Sequence, residues 1–228
     1  MQSTARRRSG SGTLDPIESE SGRAMSSGAP HPLMSIAPTE LRPTQLTVGK
    51  AEVAAKRAEW EKLGKKKRKE LLSAHCFPGV LGPKQQIYIV DHHHLGLALL
   101  EEKVKTVPVI IQSDFSWLEP SVFWRTMEFN RWAHPYDQHG QRTDYDAMPT
   151  KLTGMVDDPY RSLAARVRVA GGCAKDAIPY AEFLWADFYR RHLKLPGGKI
   201  SAKVMQRALL FAHSHDTAYL PGWSGTIE

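Results

Sequence analysis

The segment Ile87–Leu100, IYIVDHHHLGLALL, constrains the chain more than any other stretch. Its first four residues are apolar and rich in β-branched and aromatic side chains. Its last six are apolar throughout, with one glycine among strong helix formers. Neither half has a polar face to turn to water, so the pair reads as a buried strand running into a buried helix. Four polar residues, Asp91, His92, His93 and His94, are thereby placed at a strand-to-helix junction. The free N–H groups and the dipole of a helix start favour an anion there.

Such a segment needs a core around it, and the chain supplies one. Of 228 residues, 41% are hydrophobic and 24% charged, the balance of a soluble globular domain. No run approaches the roughly 18 apolar residues of a membrane-spanning helix, so no membrane partner is expected. The two cysteines, Cys76 and Cys173, lack CxxC spacing and make no disulfide framework. They read as free thiols in a reducing compartment, which points to a cytoplasmic location. The net charge of +7 permits attraction to phosphates without choosing among them. Part of the excess lies in two runs, Arg6–Arg8 and Lys65–Lys69.

Residues 1–34 are rich in Ser, Gly, Arg and Pro and poor in bulky apolar side chains, the composition of a disordered tail. Arg6–Arg8 have no apolar stretch behind them, so they do not open a secretory signal. The acids Asp15, Glu18 and Glu20 count against a transit peptide. Order is expected from Ser35. Ile36–Val48 reads as loop and short strand, and Lys50–Leu63 as a helix with Gly64 as its C-cap. Lys65–Lys69 reads as a solvated basic turn or second helix start, and Gly79–Pro83 as a loop. Gln86–Val90 is a strand, Asp91 caps a helix over Leu95–Lys105, and Thr106–Gln112 is a strand in which Pro108 suggests an edge or bulge. Residues 35–116 therefore form an α/β unit. Residues 117–228 read as a helical part, with helices over Pro120–Trp132, Asp158–Val169 with Asp158 as N-cap, Pro179–His192 and Ser201–Ala212.

The Asp-His-His-His turn is the leading candidate for chemistry. Imidazole donates to phosphate or moves a proton near neutral pH, and a carboxylate orients a histidine, acts as base or helps hold a divalent ion. Adjacent side chains point in different directions, so the three histidines cannot all meet one ligand. An N-cap and one buried histidine would explain part of the pattern without function. Zinc is disfavoured, because HxxxH spacing and a nearby cysteine are missing.

Arg42-Pro43-Thr44-Gln45, at a strand edge, is a second candidate, since Arg pairs bidentately with phosphate. A surface turn is the plain alternative. Lys56, on the next helix, reaches the same pocket or stands in solvent. Arg161 and Ser162 follow Asp157 and Asp158 at a helix start whose two carboxylates cap the helix, pair with the arginine or bind a metal, an ordinary capped helix explaining most of the pattern. Glu182, inside an aromatic-rich helix, is expected to pair with Arg161 or Arg166, with a tuned acid as the alternative. Trp117, Trp124, Trp132, Trp185 and Trp223 read as core, and Lys65–Lys69 as a solvated face or a nucleic-acid patch. No P-loop, GxGxxG or GxSxG is present.

Several of these pieces occur in a familiar order. LRPTQLTVG at Leu41–Gly49, IYIVDHHHLGLAL at Ile87–Leu99, SDFS at Ser113–Ser116, DDPYRSLAARVR at Asp157–Arg168 and GGCAKDAIPYAEFLWADFYR at Gly171–Arg190 resemble the putative ParB-like nucleases. The resemblance implies a ParB/sulfiredoxin-like α/β fold with a helical C-terminal part. It implies that Asp91–His94 matches a phosphate-binding turn, and that Arg42–Gln45 matches the active-site edge of the first strand. Histidines replace the Arg-rich GxRR form of the DNA-partitioning proteins, which argues against a partitioning role. No cysteine stands at the turn, which argues against sulfiredoxin chemistry. The expected function is that of a nuclease or nucleotide phosphohydrolase, with catalytic Asp91, His92, His93 and His94 and substrate-binding Arg42, Thr44, Gln45, Lys56, Arg161 and Ser162. A nucleotide or nucleic acid is the expected partner. A divalent cation such as Mg²⁺ is left open, no metal ligand is assigned, and the oligomeric state is unspecified. Two alternatives stand beside it: a nucleotide-dependent small-molecule kinase of the free-serine-kinase type, and a non-catalytic nucleotide- or DNA-binding module.

Overall fold

The computed structural model describes residues 32–226. The expected tail lies outside the described residues up to residue 31, and the first strand, β1 (Leu33–Ile36), starts two residues ahead of Ser35. It is followed by β2 (Leu41–Arg42) and β3 (Thr47–Val48), helices α1 (Lys50–Glu61) and α2 (Lys65–Ala74), and strands β4 (Phe77–Gly82) and β5 (Gln86–Ile89). Helix α3 (His93–Glu101), strand β6 (Val107–Asp114) and helix α4 (Pro120–Phe129) come next. Strand β7 (Val156–Asp157) and helices α5 (Pro159–Val169), α6 (Ala181–His192) and α7 (Ala202–Ala212) complete the fold. The class is mixed α/β, as expected. None of the described helices is long and apolar enough to cross a membrane.

The main sheet has the order β1-β6-β4-β5-β2. β6 pairs parallel with β4 and β5 parallel with β2, while β1–β6 and β4–β5 are antiparallel. Successive side chains of a strand point to opposite faces, and both faces here are covered. Ile87 and Ile89 of β5 join Phe77, Val107, Val109 and Ile111 in a core with α1 and α3. Tyr88, between them, turns the other way to meet Val80, Phe123 and Met127, so that α4 lies on the opposite face. The apolar run IYIV therefore belongs to a strand buried on both sides. Gly96 seats α3 against the sheet, since a Cβ there would come within 3.2 Å of Phe77 and 3.3 Å of Leu152.

Several local expectations are corrected. Gly79–Pro83 is not a loop: β4 is the middle strand, with Phe77 and Val80 fully buried. Its glycines mark close packing, for a Cβ on Gly79 would meet Val109 at 2.8 Å and one on Gly82 would meet Tyr88 at 2.6 Å. Pro108 lies opposite Ser35 in β6, one strand in from the edge, and the register shift comes further along, where Gly79 faces Ile111 and Val80 faces Ser113. Gly64 is extended (φ −72°) and begins α2 rather than ending α1. Helix α3 starts at His93, two residues before Leu95, with His92 as its N-cap in place of Asp91.

The later helices pack on one another around Leu163, Val167, Trp185, Phe188, Tyr189 and Ala208. Asp158 caps α5 as expected, accepting from Tyr160 N at 3.0 Å. The short β3–β7 ladder, a separate two-stranded sheet, joins this part to the segment between β2 and α1. Asp158 N donates to Val48 O at 2.9 Å and Lys50 N to Asp157 Oδ1 at 2.8 Å, so α1 and α5 begin side by side. Among the tryptophans, Trp185 is core but Trp117 is 78% exposed, which corrects its assignment to the interior.

Candidate functional site

His92, His93 and His94 diverge, as adjacent residues at a helix start must. His93 is buried, and its Nε2 accepts the Thr44 N–H at 3.1 Å. The Thr44 hydroxyl donates to Ile89 O at 2.9 Å, which leaves its oxygen 3.3 Å from the same Nε2. Accepting from a backbone N–H requires an unprotonated Nε2, so this network assigns the proton to Nδ1. Burial depresses His93 from the ordinary 6.5 to about 3, against a smaller upward pull from Asp91. The ring is a neutral acceptor that ties α3 to the loop between β2 and β3.

His94 does the same for α1. Its Nε2 accepts the Gly49 N–H at 3.0 Å and lies 3.4 Å from Glu52 Oε1. Burial holds His94 well below its ordinary value and pushes Glu52 from 4.5 up to about 7. His92 takes a third direction. Its φ is +64°, a left-handed conformation unusual outside glycine, and its ring meets His75 (5.9 Å between centroids) and Phe77 (5.7 Å) edge-on. Burial lowers its pKa. Asp91 is exposed, and its Oδ1 accepts the His92 N–H at 2.6 Å. No side chain caps α3.

A cleft of about 510 Å³ opens beside this turn. Asp91 and His93 lie on one wall, Gln45 near them, and Arg161, Arg168 and Glu182 on the wall formed by α5 and α6. Arg131, Lys175, Trp132 and Tyr180 also line it. Arg161 and Arg168, seven apart on α5, share a helix face and grip one carboxylate. Arg161 Nη1 lies 3.1 Å from Glu182 Oε2, and Arg168 Nη2 lies 3.0 Å from Oε1. The expected partner of Glu182 is therefore Arg161 together with Arg168, not Arg166. The Arg161 guanidinium also stacks 4.0 Å from the centre of the Phe183 ring.

The structure brings Asp91, His93, Gln45 and Arg161 to this cleft and leaves the other expected residues elsewhere. Arg42 donates to Gln86 Oε1 at 2.9 Å and lies over Tyr88. Thr44 is buried beneath the turn as the partner of His93. Lys56 is half-buried on α1 and does not line the cleft. Ser162 faces away, packed 2.6 Å from where a Gly49 Cβ would stand, in a smaller cavity with Arg166 and Lys199. His92 and His94 are not part of the cleft lining. Four further lining residues that the sequence does not single out, Arg131, Arg168, Lys175 and Tyr180, come from the later helices and the loops before them. Only Arg168 left a local signal, the seven-residue spacing from Arg161.

Among the described residues no group of three or more His, Cys, Asp or Glu side chains gathers to hold a metal ion. Within the cleft, Glu182 is held by two arginines and one Asp91 oxygen by a backbone N–H.

The family model described as putative ParB-like nuclease matches residues 34–191. The crystal structure of protein Atu1540 from Agrobacterium tumefaciens is similar, with 40% identity and a TM-score of 0.79. The match covers 86% of this chain and 99% of that one. No curated protein matches the chain. The chain belongs to the putative ParB-like nuclease family.

Proposed function

We propose that this member of the putative ParB-like nuclease family hydrolyses phosphate-ester bonds of nucleotides or nucleic acid in the cleft between the β5–α3 turn and α5–α6. The observation that carries the reading is one cleft of about 510 Å³ lined both by the Asp91 carboxylate and by Arg131, Arg161 and Arg168. Asp91 keeps one oxygen on the His92 N–H and has its second available to take a proton from an attacking water. As the water oxygen bonds to phosphorus, the ester P–O bond breaks, and the leaving oxygen takes a proton from solvent. Arg161 stabilises the charge that develops on the phosphoryl oxygens. His93 and His94, being neutral acceptors, hold the turn in place and do not exchange protons.

Helix α2 favours a polyanion over a small uncharged substrate. Lys65, Lys66, Lys67, Arg68 and Lys69 occupy its first turns, and none of its residues is buried. Its far end reaches the turn, where His75 meets His92. A phosphate backbone lying there would relieve a row of cations placed at the wrong end of the helix dipole.

The test is incubation of the purified protein with single-stranded DNA, plasmid, ATP and CTP, with Mg²⁺ or with EDTA, beside an Asp91→Asn variant. Cleavage or nucleotide hydrolysis that drops at least about a hundredfold in the variant supports a general base at Asp91. Turnover that survives the substitution intact removes Asp91 from the mechanism. Binding without turnover in every condition replaces the hydrolase reading with that of a binding module.

A further inference from the structure

The cleft contains hydrogen-bond donors that the protein itself does not satisfy. Arg161, only 6% exposed at its side chain, has no hydrogen-bond acceptor for Nε or Nη1, although Nη1 is in ion-pair range of Glu182. Arg168 Nε and the Tyr180 hydroxyl are likewise buried without a partner. All three side chains line the same cleft. Buried donors in folded proteins are nearly always paired, and an unpaired buried charge is costly. Two arginines here share a single carboxylate, so the α5–α6 wall carries one positive charge that Glu182 does not neutralise. The other acids lining the cleft each accept from their own backbone, Asp91 from His92 N and Asp176 from Ile178 N.

We infer that Arg161, Arg168 and Tyr180 form the seat of a phosphate group at the end of the substrate. The inference rests on the proposed phosphate-ester chemistry and narrows its substrate. Donors arriving from two turns of α5 and from the start of α6 surround an ion, as a tetrahedral oxyanion needs; a planar carboxylate would use one guanidinium fork. The seat is also deep. A phosphate inside a continuous duplex lies on the face of a wide cylinder and cannot descend to an enclosed arginine. A terminal phosphate can, and a cavity of about 510 Å³ falls in the range of small-ligand sites. The substrate is therefore a phosphate-terminated strand end or a free mononucleotide, not an internal linkage of intact duplex. Trp132, which also lines the cleft, offers aromatic surface to the attached base.

Tyr180→Phe tests this cleanly, because the hydroxyl it removes has no protein partner to lose. Inorganic phosphate is the probe, titrated against the full chain by calorimetry and thermal shift. The expected result is phosphate binding by the parent protein, weakened about tenfold or more by Tyr180→Phe and at least as much by Arg168→Gln. Without phosphate, Tyr180→Phe should melt no lower than the parent. Acetate should not substitute for phosphate. Oligonucleotides with terminal phosphates, and mononucleotides, should compete with the probe, whereas the same strands with terminal hydroxyls, and circular strands, should not. Equal phosphate affinity in parent and variants overturns the seat, and so does equal competition by circular strands. The outcome is separable from that of the hydrolase reading. Phosphate binding that needs Tyr180, with no turnover of any substrate, keeps the seat and discards the hydrolysis. Turnover with phosphate affinity indifferent to Tyr180 does the reverse.

Discussion

Substituting Glu52 by Gln should make the protein more stable above neutral pH and leave it nearly unchanged in mild acid. Glu52 Oε1 is buried without a hydrogen-bond donor and faces His94 Nε2, itself an acceptor for Gly49 N–H. Two acceptors 3.4 Å apart are at ease only if a proton lies between them, and burial keeps His94 neutral. The proton therefore falls to Glu52. Burial raises its pKa most, Glu182 adds to the rise, and Arg161, Lys56 and Arg168 oppose it, leaving a value of about 7 against an ordinary 4.5. Within that window the folded chain binds a proton that the unfolded chain has released, so stability falls as pH rises. At about 1.4 kcal/mol for each pH unit, the loss amounts to about 3 kcal/mol by pH 8. Glutamine cannot ionise, and its amide can donate to His94. Urea denaturation of both proteins at pH 5 and pH 8 reads the effect as the change in their stability difference, from which other titrating groups cancel. The difference should grow by about 2–3 kcal/mol in favour of the variant. A difference that stays constant to within about 0.5 kcal/mol would show that Glu52 is ionised beside Arg161 throughout, and would refute the shared-proton argument.

Two further outcomes follow from neighbouring contacts. His93→Leu should cost about 2 kcal/mol at pH 8, the penalty of leaving the buried Thr44 N–H without an acceptor, and the cost should shrink by about 2 kcal/mol at pH 5, because below 6.5 the unfolded parent takes up a proton that the folded ring, at about 3, does not bind. Equilibrium denaturation checks this, and a cost that grows toward low pH would indicate a charged ring. Asp158→Ala removes the cap of α5 and the ion pair with Arg190 at 2.6 Å; a loss of about 3 kcal/mol is expected in a thermal melt, while a loss below about 1 kcal/mol would mean that Asp187 alone satisfies Arg190.

What was legible in the sequence was whatever a local pattern encodes. The run IYIV and the helix after it, the Asp158 cap and the 3.6-residue periodicity of the later helices all report on neighbours a few positions apart. β4 escaped because its glycines, which usually punctuate turns, serve close contact with strands distant in the chain. The start of α3 was misplaced because a left-handed His92 is a tertiary effect that no propensity scale expects. The cleft was half legible. The partner of Glu182, open in the sequence between Arg161 and Arg166, is Arg161 with Arg168, while Arg131, Lys175 and Tyr180 reach the cleft through packing of segments distant in the chain, among them the β3–β7 ladder of two residues on each side. Pairing so short leaves almost no trace in sequence.

The histidine cluster changes meaning once its surroundings are known. Three consecutive imidazoles at a helix start suggest at least one ligand for an anion, yet each is spent on a different element: His92 on the end of α2 and β4, His93 on the β2–β3 loop, His94 on the start of α1. Lysine or arginine would bring a charge into those buried positions at a cost of several kcal/mol, and a hydrophobic residue would strand the Thr44 and Gly49 N–H groups. Neutral histidine is large enough to bridge and polar enough to accept. The turn is therefore an anchor that sets Asp91 at the mouth of the cleft, and the charge that would meet a phosphate is carried by α5 on the opposite wall. In the proposed reading that division explains how the turn can forgo arginine: the cations that would meet a phosphate stand on α5 and not on the strand–helix turn.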